Sequence, residues 1–209
     1  MQGLGCERIH AVGTRRNDGE GGTATRILDV AERLVQTRGF NGFSYADIAA
    51  ELEVTKASLH YHFASKTELG ETLIQRYAER FAERLSEIDA ADGAAPEKLE
   101  AYADVYARVL RDRRMCLCGM LAAEYETLPE PIRDAILRFF DESEAWLAEV
   151  LEQGQADGSL RLHASARDEA RAIVSGLEGA LLVARPYGDV DRFEAAAASL
   201  LTRLATAAA

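Results

Sequence analysis

Residues 43–66 read FSYADIAAELEVTKASLHYHFASK. Within this stretch, Ser44 and Thr55 each precede apolar residues at helical spacing. A serine or threonine side chain at that place can accept a hydrogen bond from amide groups that the start of a helix leaves unpaired. The stretch therefore predicts two short helices joined by a tight turn and followed by the start of a third, which is the arrangement of a helix-turn-helix.

The apolar residues of the two short helices lie on faces that can pack together. Ile48, Ala49 and Leu52 share one face of the first helix. Leu59 and Phe63 share one face of the second, at a spacing of four residues. The opposite face of the second helix stays available and carries Lys56, His60, Tyr61 and His62.

The longer segment from Ile27 to Leu69 resembles a known domain. The residues that carry the resemblance are Ala31, Gly39, Phe40, Asp47, Ile48, Ala49, Leu59, His60, Tyr61, His62, Phe63, Ser65 and Lys66. With them, the segment is similar to the DNA-binding domain of TetR-family transcriptional regulators. The resemblance implies a repressor that a small-molecule or reactive effector releases from a palindromic operator. One position departs from the family: Glu53 stands where the turn commonly holds Gly, so a left-handed turn there would be strained.

The resemblance also implies which residues contact double-stranded operator DNA. Lys56 is the best candidate for reading a base edge, such as O6 or N7 of guanine, and Tyr61 is the next. Hydroxyl, imidazole and ammonium groups near them suit phosphate oxygens. The full set predicted to contact DNA is Tyr45, Thr55, Lys56, Ala57, Ser58, His60, Tyr61, His62 and Lys66.

The overall charge argues against strong non-specific binding to DNA. The chain of 209 residues carries 24 Lys and Arg against 35 Asp and Glu, a net charge of -11. Phosphate contacts usually come from a basic surface. Between Val54 and Thr67, however, the only charged residues are Lys56 and Lys66. We therefore expect a mildly basic reading surface on an acidic protein, with weak non-specific affinity.

Helical patterns run through the rest of the chain, and we expect an all-α protein of about nine helices. The predicted divisions are a glycine-rich flexible arm at residues 1–22, a helix-turn-helix domain of three helices at 23–69, and a helical effector-binding and dimerisation domain at 70–209. The arm contains Arg15 and Arg16, which either touch DNA or have no role. A first helix from about Thr25 ends at Gly39, and a fourth begins after Ser65.

Several classes of protein are disfavoured by what the sequence lacks. No uncharged apolar run of eighteen residues and no signal peptide occur, so we expect a cytoplasmic protein without a membrane partner. Three cysteines do not form a disulfide framework. We find no phosphate loop, nucleophile elbow or acid–base constellation. An enzyme and a bound cofactor are therefore not expected.

The segment 115–129, MCLCGMLAAEYETLP, is the most unusual sequence outside the helix-turn-helix. Cys116 and Cys118 leave three interpretations open: a thiol sensor, a pair of metal-binding thiolates, or apolar packing around a cavity. A sensor would need a lowered thiol pKa, which Arg113 and Arg114 could provide. The pattern also loosely resembles a branch of the family with cysteine-based sensing. A metal site would need further ligands, for which the candidates are His163, Glu124 and Asp112.

The remaining predictions concern the effector and the second subunit. An aromatic or lipophilic effector is expected in a pocket lined by Tyr77, Phe81, Tyr102, Tyr106, Cys116, Cys118, Met120, Tyr125, Phe139 and Trp146. A homodimer is expected to form through Gly176, Gly179, Ala180 and Ala184. In the family, effector binding moves the fourth helix and changes the separation of the two reading heads. The alternative is a DNA-binding adaptor without a small-molecule effector.

Overall fold

The computed structural model describes residues 18–205, and side chains from Gly22 onward. This part of the chain forms nine α-helices and no β-strand, as the sequence predicts. The helices are α1 Asp18–Arg38, α2 Tyr45–Leu52, α3 Lys56–His62, α4 Lys66–Ala90, α5 Ala95–Arg111, α6 Leu117–Ala122, α7 Glu130–Asp157, α8 Ala166–Ala184 and α9 Val190–Thr202. The predictions for Arg15 and Arg16 fall outside the described residues.

Helices α1, α2 and α3 form the reading head around a small apolar core. Thr55 caps α3 as predicted, because its Oγ1 accepts a hydrogen bond from the Ser58 amide at 3.2 Å. At the start of α2 the Asp47 carboxylate accepts a hydrogen bond from the Ser44 amide at 2.7 Å. Gly39 ends α1 with φ of +83°. The core residues are Ile27, Ala31, Leu34, Val35, Phe40, Phe43, Ile48, Leu59 and Phe63.

Helix α1 begins at Asp18, earlier than the predicted start at Thr25. The sequence interpretation gave weight to glycines at positions 19, 21 and 22, which disfavour a helix interior. Nucleation is the costly step of helix formation. Once the buried turns around Ile27 and Ala31 have nucleated the helix, each residue that is added to it gains one backbone hydrogen bond. The helix therefore extends into part of the predicted arm.

Helices α4 to α9 form the second body, and α4 belongs to both. Ser65 caps α4 as predicted, with its Oγ accepting from the Glu68 amide at 3.1 Å. Helix α7 packs against α8 and α4, and α9 packs against α8 and α5. Tyr102, Leu147 and Leu177 are fully buried at the centre. No helix among the described residues is long and apolar enough to cross a membrane.

The turn between α2 and α3 has the left-handed conformation that its family position suggests. Glu53 lies at φ 56° and ψ 39°, and its backbone amide donates to the Ala49 carbonyl. The Val54 amide donates to the same carbonyl at 3.0 Å. A residue with a Cβ is strained there, whereas glycine is not.

We therefore predict that Glu53→Gly raises the free energy of unfolding by about 1 kcal/mol. Urea unfolding followed by circular dichroism measures the change. Ala50→Gly is the matched control: it places glycine at an exposed position inside α2 and should lower stability by about 1 kcal/mol. A loss of stability in Glu53→Gly would contradict the account of the turn.

Candidate functional site

The outer face of α3 presents the side chains predicted to read DNA. Lys56 and Ala57, at the start of the helix, are exposed. Tyr61 is 72% exposed, and its ring meets the edge of the half-buried His62 ring at a centroid distance of 5.2 Å. Ser58 is half-buried beside the Thr55 cap. The structure thus places these polar groups on one outer surface of the reading head.

Two members of the predicted DNA set instead support α3 from behind. Tyr45 is buried, and its hydroxyl donates to the Phe63 carbonyl at 3.0 Å. Burial, and secondarily the negative charge of Glu68, raises the pKa of the Tyr45 phenol to about 12, so the donor proton is retained. The exposed His60 ring lies 4.8 Å from the Tyr45 ring, and its Nδ1 lies 3.3 Å from the Ala64 carbonyl. The Tyr45 hydroxyl is thus engaged within the reading head, and its phosphate contact stays a prediction.

Lys66 is also engaged within its own chain, and its DNA contact likewise stays a prediction. Its ammonium donates to the carbonyls of Phe40 and Phe43, each at 2.5 Å. It also lies over both aromatic rings, at 4.6 and 4.1 Å from their centroids. Burial lowers the pKa of the ammonium, while the charges of Glu124 and Asp47 raise it. Lys66 closes the α1–α2 turn rather than facing outward.

The predicted pocket residues divide into an inner cluster and an outer set. The inner cluster consists of Tyr77, Phe81, Tyr102, Tyr106, Cys116, Cys118 and Phe139, and the outer set of Met120, Tyr125 and Trp146. In the inner cluster the hydroxyls of Tyr102 and Tyr106 lie 3.1 Å apart. The Tyr77 hydroxyl donates to Cys116 Sγ at 3.7 Å. Phe139 packs against Phe81 at a centroid distance of 5.0 Å. Helices α4, α5, α6 and α7 thus bring these side chains together, along with the buried Cys118.

The outer set lies at the edge of this cluster. Trp146 stacks on Tyr102, but its indole Nε1 donates to Asp89 at 2.8 Å. The Met120 sulfur accepts from the Arg185 guanidinium at 3.4 Å. Tyr125 lies under Arg133, with the guanidinium 5.6 Å from its ring centroid. These three side chains are partly buried and engaged in contacts of their own.

Glu178 on α8 joins the inner cluster, and the sequence interpretation missed it. The Cys116 thiol hydrogen-bonds its side chain. Burial raises the pKa of the Glu178 carboxyl to about 7, while the bond from Cys116 acts in the opposite direction. The available signal was its position four residues after Val174 and three before Leu181, because both of those residues lie on the buried face of α8.

The environment of the cysteines differs from the one predicted for a reactive thiolate. Burial, followed by the charge of Glu178, raises the pKa of both the Cys116 and the Cys118 thiols. Arg113 is exposed and lies at φ of +58°. Arg114 faces a surface groove beside Glu32 and Arg80. The expectation that these arginines stabilise a thiolate is therefore wrong for this conformation.

The described residues contain no group of three or more His, Cys, Asp or Glu side chains placed to hold a metal ion. The side chains suggested as additional ligands have other positions. His163 Nε2 lies 3.2 Å from the Arg203 carbonyl, and Asp112 is exposed at the end of α5. Glu124 points away from the thiols toward the reading head.

Glu124 and its neighbours connect the two bodies. Its carboxylate accepts hydrogen bonds from the Phe40 amide at 2.5 Å and the Asn41 amide at 3.3 Å. The Met115 amide donates to the Gln36 carbonyl at 3.2 Å, and Arg185 donates to the Thr37 carbonyl at 2.5 Å. We call these four hydrogen bonds the α1 clasp. We call residues 115–124 the cysteine segment. The clasp attaches both ends of this segment, Met115 and Glu124, to the end of α1, and it also attaches Arg185 at the end of α8.

The residues predicted for the dimer interface do not share one surface. Ala184 is completely buried in its own protomer, so a contact with a second copy is excluded there in this conformation. A Cβ added to Gly176 would lie 2.6 Å from the Leu200 side chain. The absence of a side chain at Gly176 therefore allows α9 to pack closely against α8. Ala180 is partly buried, and only Gly179 is exposed. The apolar surface that α8 does expose comes from Leu182 and Val183, at 57% and 56%.

Comparisons with known proteins agree with this geometry. The sequence model of the family described as "Bacterial regulatory proteins, tetR family" matches residues 27–73. "Tetracyclin repressor-like, C-terminal domain" matches residues 95–200. A crystal structure of a TetR-family regulator from Agrobacterium tumefaciens has a TM-score of 0.86 and 33% identity, covering 90% of this chain and all of that one.

Curated relatives point the same way. The repressor DhaR of Mycobacterium sp. strain GP1 is 27% identical, over 80% of this chain and 86% of its own length. The repressor NemR of Escherichia coli K12 is 26% identical, over 89% and 96%. The crystal structure of reduced E. coli NemR has a TM-score of 0.78 and 27% identity, covering 90% of this chain and all of that one. This chain is therefore a member of the TetR family of DNA-binding transcriptional repressors.

Proposed function

We propose that this repressor is released from its operator when a small molecule binds non-covalently among the side chains of the inner cluster. The observation that supports this proposal most strongly is that a carboxylate, two thiols and three phenols meet in one cluster. Tyr102, Tyr106, Cys116 and Cys118 are buried there, and the Glu178 carboxyl is shielded from solvent. Buried polar groups that are incompletely paired cost free energy and tend to persist where they serve binding or catalysis.

The α1 clasp supplies the route from this site to DNA. Cys116 contacts Glu178 and Tyr77, while the adjoining Met115 amide and the later Glu124 carboxylate bind the end of α1. An effector that shifts α6 must therefore move or break contacts to the reading head. Because a ligand shifts an equilibrium only by its difference in affinity for two states, the effector has to bind the shifted arrangement more tightly.

A second copy of the chain is required for two reading heads to act together. TetR-family regulators act as dimers, and half-sites in helix-turn-helix operators lie about 34 to 36 Å apart or a multiple of that distance. We propose that the second copy packs on the exposed side of α8, with Gly179, Leu182 and Val183 at the interface. This proposed interface replaces the one predicted from the sequence, because Ala184 is buried within its own protomer.

A thiol sensor is the less favoured interpretation of the same cluster. Thiolates, rather than thiols, react with electrophiles and oxidants. The Cys116 and Cys118 thiols are buried, and both burial and the Glu178 charge raise their pKa. The contacts around them thus stabilise the protonated, unreactive form, which favours an effector bound by non-covalent contacts.

The first prediction from this proposal concerns the effector site. A Cβ at position 119 would lie 2.2 Å from a Glu178 oxygen, so Gly119→Ala must displace Glu178 or α6 and imitate part of the effector's action. We expect operator affinity to fall about tenfold, since coupling between allosteric sites is typically about 1–3 kcal/mol. Fluorescence anisotropy with labelled operator DNA measures the change.

The control for that experiment is the same substitution in a Glu178→Ala background, where the clash is absent. There, Gly119→Ala should leave operator affinity unchanged. Equal affinity of Gly119→Ala and the unmodified protein, with helical content and dimer formation intact, would refute the proposed link between the cluster and DNA.

The second prediction separates base reading from support of the head. Lys56→Ala should relax the preferred sequence at one position in each half-site and weaken binding by about 1–3 kcal/mol. Lys66→Met should instead lower the melting temperature and leave the preferred sequence intact, because the ammonium binds two carbonyls of its own chain. Selection of bound sites from random DNA, followed by sequencing, tests both variants. An unchanged consensus for Lys56→Ala would remove that residue from base recognition.

A further inference from the structure

The Glu178 carboxylate is shielded from solvent and has no positively charged partner among the residues that the structure describes. No described Lys, Arg or His side chain forms an ion pair with it. Its Oε1 is sealed from solvent and accepts no hydrogen bond from any described residue. A buried carboxylate is stable in its charged form only when it is paired and hydrogen-bonded. Glu178 meets that condition only in part.

The groups that face Glu178 can donate protons but cannot supply a positive charge. They are Tyr77 on α4, Tyr102 and Tyr106 on α5, Cys118 on α6 and Cys116 directly before α6. All five have a raised pKa and are neutral at pH 7. Arg185, directly after α8, is engaged with Met120 and the Thr37 carbonyl. The cluster is therefore one positive charge short of pairing its carboxylate.

Further aromatic rings pack against the tyrosines that face Glu178. The Tyr77 ring lies 5.7 Å from Phe139, and the Phe81 ring lies 5.0 Å from Phe139 and 6.0 Å from Tyr102. The faces of such rings attract organic cations, especially where water is excluded. A carboxylate close to a group of aromatic rings favours an ammonium group attached to an apolar body.

A surface groove leads to these rings from the outside. It lies between α4 and α7 and has a volume of about 600 Å³. Glu71, Glu79 and Glu142 line it against a single cation, Arg138, so its charge attracts cations. Phe139 lines the groove and also contacts Tyr77, whose hydroxyl binds Cys116. One aromatic ring thus separates the acidic groove from the inner cluster.

We propose that the effector is an organic ammonium ion that enters past Phe139, pairs its charge with Glu178 and packs its apolar part against the aromatic rings. The inference rests on the proposed function, because it assigns a chemical class to the ligand of the same site. The incoming ammonium replaces the proton or the Cys116 thiol as the partner of the carboxylate. That exchange acts directly on the cysteine segment that the α1 clasp attaches to the reading head.

The test compares two probes of similar shape and different charge on the full-length dimer. Benzylammonium carries the positive charge, and benzyl alcohol does not. Isothermal titration calorimetry at pH 7.5, above the pKa of about 7 to which burial raises the Glu178 carboxyl, should show about tenfold tighter binding of benzylammonium, equivalent to about 1.4 kcal/mol. In Glu178→Gln, which retains the shape of the side chain, the ratio should fall to about one.

Glu149 provides a matched control, because Glu149→Gln removes an exposed carboxylate of α7 that does not line the groove and should preserve the ratio. The pH dependence gives a second readout. Benzylammonium affinity should rise between about pH 6 and pH 8 as Glu178 loses its proton, and it should be flat in Glu178→Gln.

Equal binding of the two probes, an unchanged ratio in Glu178→Gln, or no binding of benzylammonium at millimolar concentration would each overturn the inference. The Gly119→Ala experiment distinguishes this failure from failure of the proposed function. If Gly119→Ala weakens operator binding while benzylammonium does not bind, the cluster still controls the head and only the cationic class is wrong.

Discussion

The structure depends on one constraint: several backbone groups at the end of α1 and in the turn that follows it are hydrogen-bonded by side chains of the second body. Helix ends and tight turns leave amides and carbonyls unpaired, and a buried polar group without a partner is costly. Here the Glu124 carboxylate accepts from the Phe40 and Asn41 amides, and Arg185 donates to the Thr37 carbonyl. The orientation of the head is consequently set by residues that follow α6 and α8.

This arrangement explains why a short, buried helix can control a distant DNA surface. Helix α6 spans only Leu117–Ala122, yet contacts to α1 flank it on both sides. Its inner face carries Cys118, and the preceding Cys116 touches both Glu178 and Tyr77. Packed interiors respond to a new ligand by changing between discrete arrangements rather than by smooth deformation. A ligand in the cluster therefore changes the head most directly through α6.

The fold was predictable because its signals are local. Helix spacing, the caps at Thr55 and Ser65, and the glycine after α1 depend on neighbouring residues, and the structure contains all of them. The site was less predictable because its side chains meet only after folding. The Lys66 ammonium donates hydrogen bonds to the carbonyls of Phe40 and Phe43 between α1 and α2. The sequence alone does not show where those carbonyls point.

Long-range pairing accounts for the other errors in the same way. Glu124 was considered as a metal ligand, but its partners lie more than eighty positions earlier in the chain. Glu178 was overlooked because a single acidic residue in an apolar helical stripe is a weak signal until its burial is known. Ala184 satisfies the small-residue spacing of an interface, yet complete burial assigns it to the interior.

Hydrogen–deuterium exchange of the full-length protein tests the central role of the α1 clasp most directly. Glu124→Ala removes the acceptor for the Phe40 and Asn41 amides, while Glu126→Ala removes a nearby exposed carboxylate and serves as control. The account predicts faster exchange in Glu124→Ala, both in peptides covering residues 39–43 and in those covering 115–122, with the control unchanged. Unaltered exchange at residues 39–43 in Glu124→Ala would show that the reading head is held in place by other contacts.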